Sequence, residues 1–415
     1  MEAKTFFKEG SILLIATFTG SFFNYLFNIS MGRFLGPSDY SVMMSLLSLL
    51  MIVSVPVGAV QTVVAKYVAG FQALNKMGSI KNFLSGIVLR ISLFSTIIFI
   101  VLISFSRVIA NYLNISGVVP VLIVSTILIP LVLLPAIRGT LQGLQKFYSL
   151  GINITSEGLM RLLVGVFLVY FGFGVNGAIG ATTLSSIFAL VIAILAIKQF
   201  FVKKDDNTDV SKPFCFREVY QYTGPVLISL LCITVLTNID LILVKHYFSA
   251  EEAGIYSGAE IIGKIVFYLP APISVFIFPK AAYSHAINED TREILWKGLL
   301  SVVFVSGSLT LLYFVFPEIF ILTFFGEKYI QSTYLLGLFG IAMSFYAVVN
   351  LLVFYKLSIH RFRFIYPLVA VTLLQILLLL IFHAKLTHVI YTLIFCSFLL
   401  IIFNLKEIVY CKPRR

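Results

Sequence analysis

Six ionisable side chains stand inside stretches otherwise too apolar for water. Three are basic, Arg90, Arg161 and Lys264, and three are acidic, Glu157, Asp240 and Glu260. A charge at the centre of a bilayer costs about 2.5–3.5 kcal/mol on insertion scales, so such groups face a protein interior or a wet cavity. The chemistry open to the cations is escort of an anion. A guanidinium is always charged and offers a planar fork of donors matched to phosphate. Acids alone would suit a cationic passenger. Cations and acids are equal in number here, which leans toward an anionic lipid carrier. At about 1.5 Å per residue, Arg90 lies roughly 12 Å and Arg161 about 14 Å from the cytoplasmic end of their helices, and Lys264 about 16 Å from the outer end of its own. All three are then near mid-membrane.

Spacing offers a structural alternative for four of the six. Glu157 with Arg161, and Glu260 with Lys264, are i,i+4 pairs with the acid N-terminal, the better helix orientation. Each pair can serve simply to neutralise itself for insertion. Arg90 has no acid within reach on its own helix, so its counterpart comes from another helix, from water or from a ligand. Asp240 has Lys245 as a candidate partner. Asn24, Asn28 and Asn350, with Tyr25, Tyr170, Tyr268, Tyr346 and Tyr355, are candidates for lining a cavity and contacting sugar rings. Most aromatics in spans serve packing or anchoring at the interface instead. Pro56, Pro135 and Pro270 interrupt apolar stretches and are candidate hinges, or static kinks.

The elements that position these residues are set by composition. Sixty per cent of the 415 residues are apolar, 12% are charged, and mean hydropathy is +1.02. A soluble domain averages about 45–50% apolar and about 25% charged, so the chain belongs in a bilayer. Forty Phe and twenty Tyr exclude a disordered chain. Cys215, Cys232, Cys396 and Cys411 form no disulfide framework and no zinc-ligand spacing. Reading for roughly 20 apolar residues per crossing gives twelve spans, at approximately 10–31, 40–65, 82–105, 118–142, 152–172, 175–200, 219–245, 253–279, 295–316, 330–356, 362–383 and 386–405. The first is read as a retained helix and not a signal peptide. Lys and Arg favour the tails and even-numbered gaps by roughly four to one, among them Lys66, Arg138, Lys146, Lys203, Lys204, Lys280, Arg361 and Arg363. Both termini are therefore expected in the cytoplasm, in the cytoplasmic (inner) membrane. The same bias accounts for most of the net charge of +12 without a nucleic-acid partner.

The two halves share a pattern. Phe34-Leu35-Gly36-Pro37-Ser38-Asp39-Tyr40-Ser41 after the first span parallels Tyr247-Phe248-Ser249-Ala250-Glu251-Glu252-Ala253-Gly254 after the seventh, and Pro56 and Lys66 parallel Pro270 and Lys280. In both copies an acid begins a helix, where the dipole favours it. The division expected is a six-helix lobe over 1–201, a cytoplasmic linker over 202–218 and a second six-helix lobe over 219–415. Parallel repeats of this kind occur in transporters, with the substrate site between halves. The stretch Arg33–Tyr40, and Asn238–Lys245 leading to Glu252-Ala253-Gly254-Ile255-Tyr256, resemble the Wzx-type oligosaccharide flippases of the multidrug/oligosaccharidyl-lipid/polysaccharide (MOP) exporter superfamily. The resemblance implies an all-α polytopic membrane protein with two six-helix lobes around a central cavity, like the MATE transporters, working by alternating access. It also implies a lipid-linked oligosaccharide as passenger, membrane lipids and other polysaccharide-assembly proteins as partners, and no catalytic residues.

No H-E-x-x-H, G-x-S-x-G or Walker loop is present, and the outer gaps are short. An enzyme is therefore not expected, and neither is a cofactor. Transport is expected to draw on an ion gradient, H+ or Na+, or on consumption of substrate on the far side. Two alternatives remain open: an ion-coupled multidrug or metabolite antiporter of the same superfamily, and a membrane-embedded enzyme of glycan assembly.

Overall fold

Long runs of Leu, Ile, Phe and Val with few charges satisfy their backbone internally only as helices once water is excluded. A computed structural model describes residues 2–73, 77–201, 217–286 and 289–410, and among these every regular element is helical. The first half holds α1 (Glu2–Ala73), α2 (Met77–Ser104), α3 (Ser106–Tyr112), α4 (Val119–Thr126), α5 (Leu128–Gly143), α6 (Phe147–Leu168) and α7 (Gly174–Phe201). The second holds α8 (Arg217–Leu236), α9 (Ile239–Tyr247), α10 (Ala250–Tyr268), α11 (Ala271–Ala286) and α12 (Arg292–Val315). It continues through α13 (Pro317–Phe324), α14 (Thr333–Ser358), α15 (Ile365–Ile381) and α16 (Leu386–Tyr410). The expected linker at 202–218 lies almost wholly outside the described residues.

Among the described residues, ten apolar helical stretches are long enough to cross a membrane, against the twelve spans expected. Two of the ten are unusually long, Ile15–Val57 at 43 residues and Phe147–Lys198 at 52. Each is about twice the roughly 20 residues one crossing needs, and each is broken near its middle by glycine. Gly36 takes φ 75°, ψ 174° inside α1, and Gly172 and Gly174 have φ of 87° and 51° between α6 and α7. The expected loop at 32–39 is thus reduced to one residue. Pro37 follows at once, where a missing N–H costs a new helix nothing.

Contacts divide the chain into two compact units. The first comprises residues 1–35 and 53–223, the second residues 36–52 and 224–415. In the first, α6 packs along α7, and α5 packs on α2 and α7. Its interior includes Val64, Val68, Ile80, Phe83, Leu84, Ile87 and Leu144. In the second, α14 lies at the centre and packs on α10, α11, α12 and α16. It is apolar on every side, as a helix surrounded by others must be. Gly254 of α10 rests directly on the backbone of Pro37, leaving no room for a Cβ. The two copies of the repeated motif therefore meet inside the second unit. Ser249 and Glu252 close a capping box at the start of α10, the acidic helix start expected there. Large apolar side chains such as Phe18, Phe304 and Tyr366 are three-quarters exposed or more, a surface suited to hydrocarbon and not to water.

Candidate functional site

Two polar clusters occupy apolar surroundings, one in each unit, and both are built on the same device. In α6, Asn153, Glu157 and Arg161 follow at intervals of four, and in α10 so do Tyr256, Glu260 and Lys264. Four residues are slightly more than one turn, so each set forms a ladder along one helix face.

The first cluster centres on Glu157. Arg138 Nη2 donates to Glu157 Oε2 at 2.7 Å and Arg161 Nη2 donates to Oε1 at 2.9 Å. Ser186 Oγ of α7 donates to Oε1 at 2.9 Å as well. Arg161 extends the network to α1, donating from Nη1 to Asn24 Oδ1 at 2.6 Å, and approaches Ser185 Oγ at 3.4 Å. Arg138 Nε donates to Asn153 Oδ1 at 2.7 Å, and Asn153 Nδ2 donates to the carbonyl of Ala189 at 2.6 Å. Four helices are thereby tied together. Two guanidiniums share one carboxylate, so the cluster carries one surplus positive charge. Its charged side chains are 14–21% accessible, with Arg161 the most open.

The second cluster is tighter and opposite in sign. Asp240 and Glu260 are fully buried, and the ammonium of Lys264 is paired with Glu260. Lys264 Nζ lies 2.6 Å from Glu260 Oε1, off the hydrogen-bonding direction, and donates to Asn238 Oδ1 at 2.9 Å. Tyr256 Oη donates to Asp240 Oδ2 at 2.7 Å. Asp240 Oδ1 and both carboxylate oxygens of Glu260 accept no hydrogen bond. Counted with every group ionised, the cluster carries one formal surplus negative charge. The turn between α8 and α9 at Thr237-Asn238 lets this polar face form. It frees the carbonyl of Leu236, which accepts from Gln375 Nε2 at 2.8 Å, while Tyr346 Oη donates to Gln375 Oε1 at 2.6 Å. Buried backbone groups freed by a helix break need such partners in hydrocarbon.

The structure thus brings Asn24, Glu157 and Arg161 together, and Asp240, Glu260 and Lys264 together. Tyr268 is the next step up the α10 ladder from Lys264 and is half exposed. Arg90 stands on an exposed face of α2, a helix that packs on α4 and α5. Several expectations change. Arg138, counted among the cytoplasmic loop cations, is inside α5 and belongs to the first cluster; the span boundary drawn at 142 already enclosed it. Asp240 pairs with Tyr256 and not with Lys245, which instead feels the charge of Asp39. Tyr346 and Tyr355 are buried in packing, the latter bonded to Thr291 Oγ1 at 2.6 Å. Pro270 falls at a true break between α10 and α11, whereas Pro56 and Pro135 lie within α1 and α5. No group of metal-ligating side chains forms among the described residues.

This architecture is the all-helical, multi-pass fold of the MATE transporters. It matches an inward-facing multidrug resistance MATE family transporter of the MOP superfamily over 93% of this chain and 94% of that one, with TM-score 0.78 and 13% identity. Lipid II flippase MurJ, in an inward closed conformation, matches over 96% of this chain and 87% of its own, with TM-score 0.72 and 15% identity. A Shigella flexneri protein provisionally named an O-antigen transporter is 27% identical over 268 residues. That match spans 62% of this chain and 62% of the relative, less than two thirds of its length. Residues 30–334 match the polysaccharide biosynthesis protein family, and the chain belongs to that family.

Proposed function

We propose that the chain is a flippase that moves lipid-linked oligosaccharide across the cytoplasmic membrane by alternating access, with both termini in the cytoplasm. One observation carries the reading: the surplus cation of the first cluster, with Arg161 keeping 21% of its side chain accessible. A phosphate entering that cluster would take up guanidinium donors that now reach Asn24 and Ser185, and would cancel the surplus charge. Family membership supports a passenger from polysaccharide assembly, and the fold is one that a protein named a lipid flippase also uses. The second cluster suits the coupling ion. A proton or Na+ taken up at Asp240 and Glu260 would neutralise their formal surplus charge where three carboxylate oxygens accept no hydrogen bond. Other polysaccharide-assembly proteins would supply the passenger on one side and consume it on the other.

The test is translocation in vesicles holding the purified chain and a fluorescent lipid diphosphate bearing an oligosaccharide. Protection from an external quencher should change with time, and imposing a proton or Na+ gradient should alter the rate. Arg161→Gln should slow it at least about tenfold, because a charge-assisted bond to phosphate contributes roughly 1.5–3 kcal/mol. A rate no greater than that of protein-free vesicles would overturn the proposal.

A further inference from the structure

Buried oxygens without a donor are costly, and each calls for an explanation. The second cluster has three, Asp240 Oδ1 and both carboxylate oxygens of Glu260, on side chains with no exposure. Which ion suits them follows from the neutral oxygens nearby. A metal cation stripped of water needs several oxygens to replace its hydration shell. Here the neutral ones already serve protein donors. Asn238 Oδ1 accepts from Lys264 Nζ at 2.9 Å, and Thr237 Oγ1 accepts from Asn238 Nδ2 at 3.1 Å. The carbonyl of Leu236 accepts from Gln375 Nε2, and Gln375 Oε1 from Tyr346 Oη. Lys264 Nζ stands between Glu260 Oε1, at 2.6 Å, and Asn238 Oδ1. An ammonium is a compact point charge with three donors, so Lys264 holds the position and the ligands that a monovalent metal ion would take.

One positive charge is still wanting. The charge acting most strongly on Asp240 is that of Lys264, and on Glu260 those of Lys264 and Asp240. The other titratable groups facing them are Tyr256 and Tyr268 on α10 and Tyr346 on α14, with Cys396 of α16 beside Tyr346. Phenols and thiols are neutral near pH 7, so none of these balances the second acid. A single proton does. It converts one carboxylate to a carboxylic acid, which needs no coordination shell and supplies an O–H donor where acceptors stand bare. The α10 ladder also offers it a way in. From buried Glu260 the ladder passes Lys264 and ends at half-exposed Tyr268, a row of groups that exchange protons and do not conduct a hydrated metal ion.

We propose that the second cluster is a cation site filled by the chain's own ammonium, Lys264, and that the ion it takes up is one proton, shared by Asp240 and Glu260, and not Na+. Only the use of that proton to drive transport rests on the flippase reading. Occupancy of the site is independent of it. Removing the tethered ammonium turns the same oxygens into a seat for a free monovalent cation.

The test measures melting of the purified full chain in choline chloride against NaCl or propylammonium chloride at equal ionic strength. The parent should melt within about 1 °C in all three. Lys264→Ala removes the outer side chain with its ammonium, and propylammonium returns the same atoms. For this variant Na+ or propylammonium should raise melting by about 3 °C or more, the shift expected near tenfold saturation for a unit of about 200 residues. Adding Asp240→Asn should reduce that rise. If Lys264→Ala gives no monodisperse protein in choline, its recovery on purification in either cation is the readout. A second measurement leaves Lys264 in place. Near pH 7, where exposed acids are ionised, the infrared spectrum of the parent should contain the carbonyl stretch of one protonated carboxyl group. Asp240→Asn and Glu260→Gln, made separately, should each abolish it, since one acid then balances the ammonium. Stabilisation of the parent by Na+, indifference of Lys264→Ala to both cations, or absence of that band would overturn the proposal. A Na+ gradient that drives translocation by the parent would overturn it while leaving the flippase reading intact. The expected shifts and band without translocation in vesicles would support the site and remove the flippase reading instead.

Discussion

Glu157→Gln is the sharpest perturbation of the first cluster, because one carboxylate holds two guanidiniums from different helices. Glutamine keeps the size and one acceptor, but its amide must turn N–H toward one of the two arginines. The cluster passes from one surplus positive charge to two. Removing one partner of a buried ion pair costs about 3–5 kcal/mol, and the lower end applies because these side chains retain 14–21% of their exposure. For a cooperative unit of about 200 residues, 3 kcal/mol lowers the melting temperature by roughly 6–12 °C. The assay is thermal unfolding of detergent-purified protein, followed by size-exclusion fluorescence. A second arm adds Arg138→Gln to Glu157→Gln and so returns the cluster to its original charge. If the loss arises from unbalanced guanidiniums, the double variant should recover at least half of it, a coupling within the range of about 0.5–3 kcal/mol found for residues in contact. Melting of Glu157→Gln within about 1 °C of the parent, with no coupling to Arg138, would refute the reasoning.

Lys264→Met strips the ammonium from beside Glu260 and should cost about 3–5 kcal/mol, read as loss of monodisperse protein; adding Glu260→Gln should restore most of the yield. Gly254→Val drives a side chain into the backbone of Pro37 and should destabilise by at least about 3 kcal/mol. Gly180→Ala, in the open interior of α7, should stay within about 1 kcal/mol of the parent or improve on it. Arg90→Ala should leave melting within about 0.5 kcal/mol, because the side chain is exposed, yet reduce translocation to background; activity regained with Arg90→Lys would assign its role to charge, and full activity in Arg90→Ala would remove it from the mechanism.

The helical class and the acid–base rungs were legible because both follow from local rules. Apolar length dictates a crossing, and an interval of four places Glu157 beneath Arg161 and Glu260 beneath Lys264 whatever the tertiary fold. What joins the rungs was not legible. Arg138 is nineteen residues from Glu157 and reaches it only because α5 and α6 turn back on each other. Asp240 and Lys245 are five apart, about 140° around a helix, so Lys245 was a poor partner on geometry alone. Tyr256, on the next helix, fills that role. The break at Gly36 was visible as a Gly-Pro pair, but a loop of several residues was expected. A single glycine at positive φ followed by proline restarts a helix without one.

The two ladders show how one local pattern can serve opposite ends. Asn153-Glu157-Arg161 and Tyr256-Glu260-Lys264 place a polar group, an acid and a base at the same intervals, and taken alone each is neutral. The sign of each cluster comes from one further residue on a neighbouring helix, Arg138 in the first unit and Asp240 in the second. The difference in accessibility follows that of charge. A guanidinium fork can satisfy several acceptors and still present donors to an incoming anion, and the first cluster stays partly accessible. The second holds two carboxylates at zero exposure with oxygens unpaired, a state that a small cation relieves and that a large passenger cannot reach. Exchanging the sign-setting residues tests this directly. Asp240→Asn should preserve the bond from Tyr256 and the fold, because the amide oxygen accepts as the carboxylate does, while removing the dependence of translocation on an ion gradient. Persistence of that dependence in Asp240→Asn would move the coupling site elsewhere.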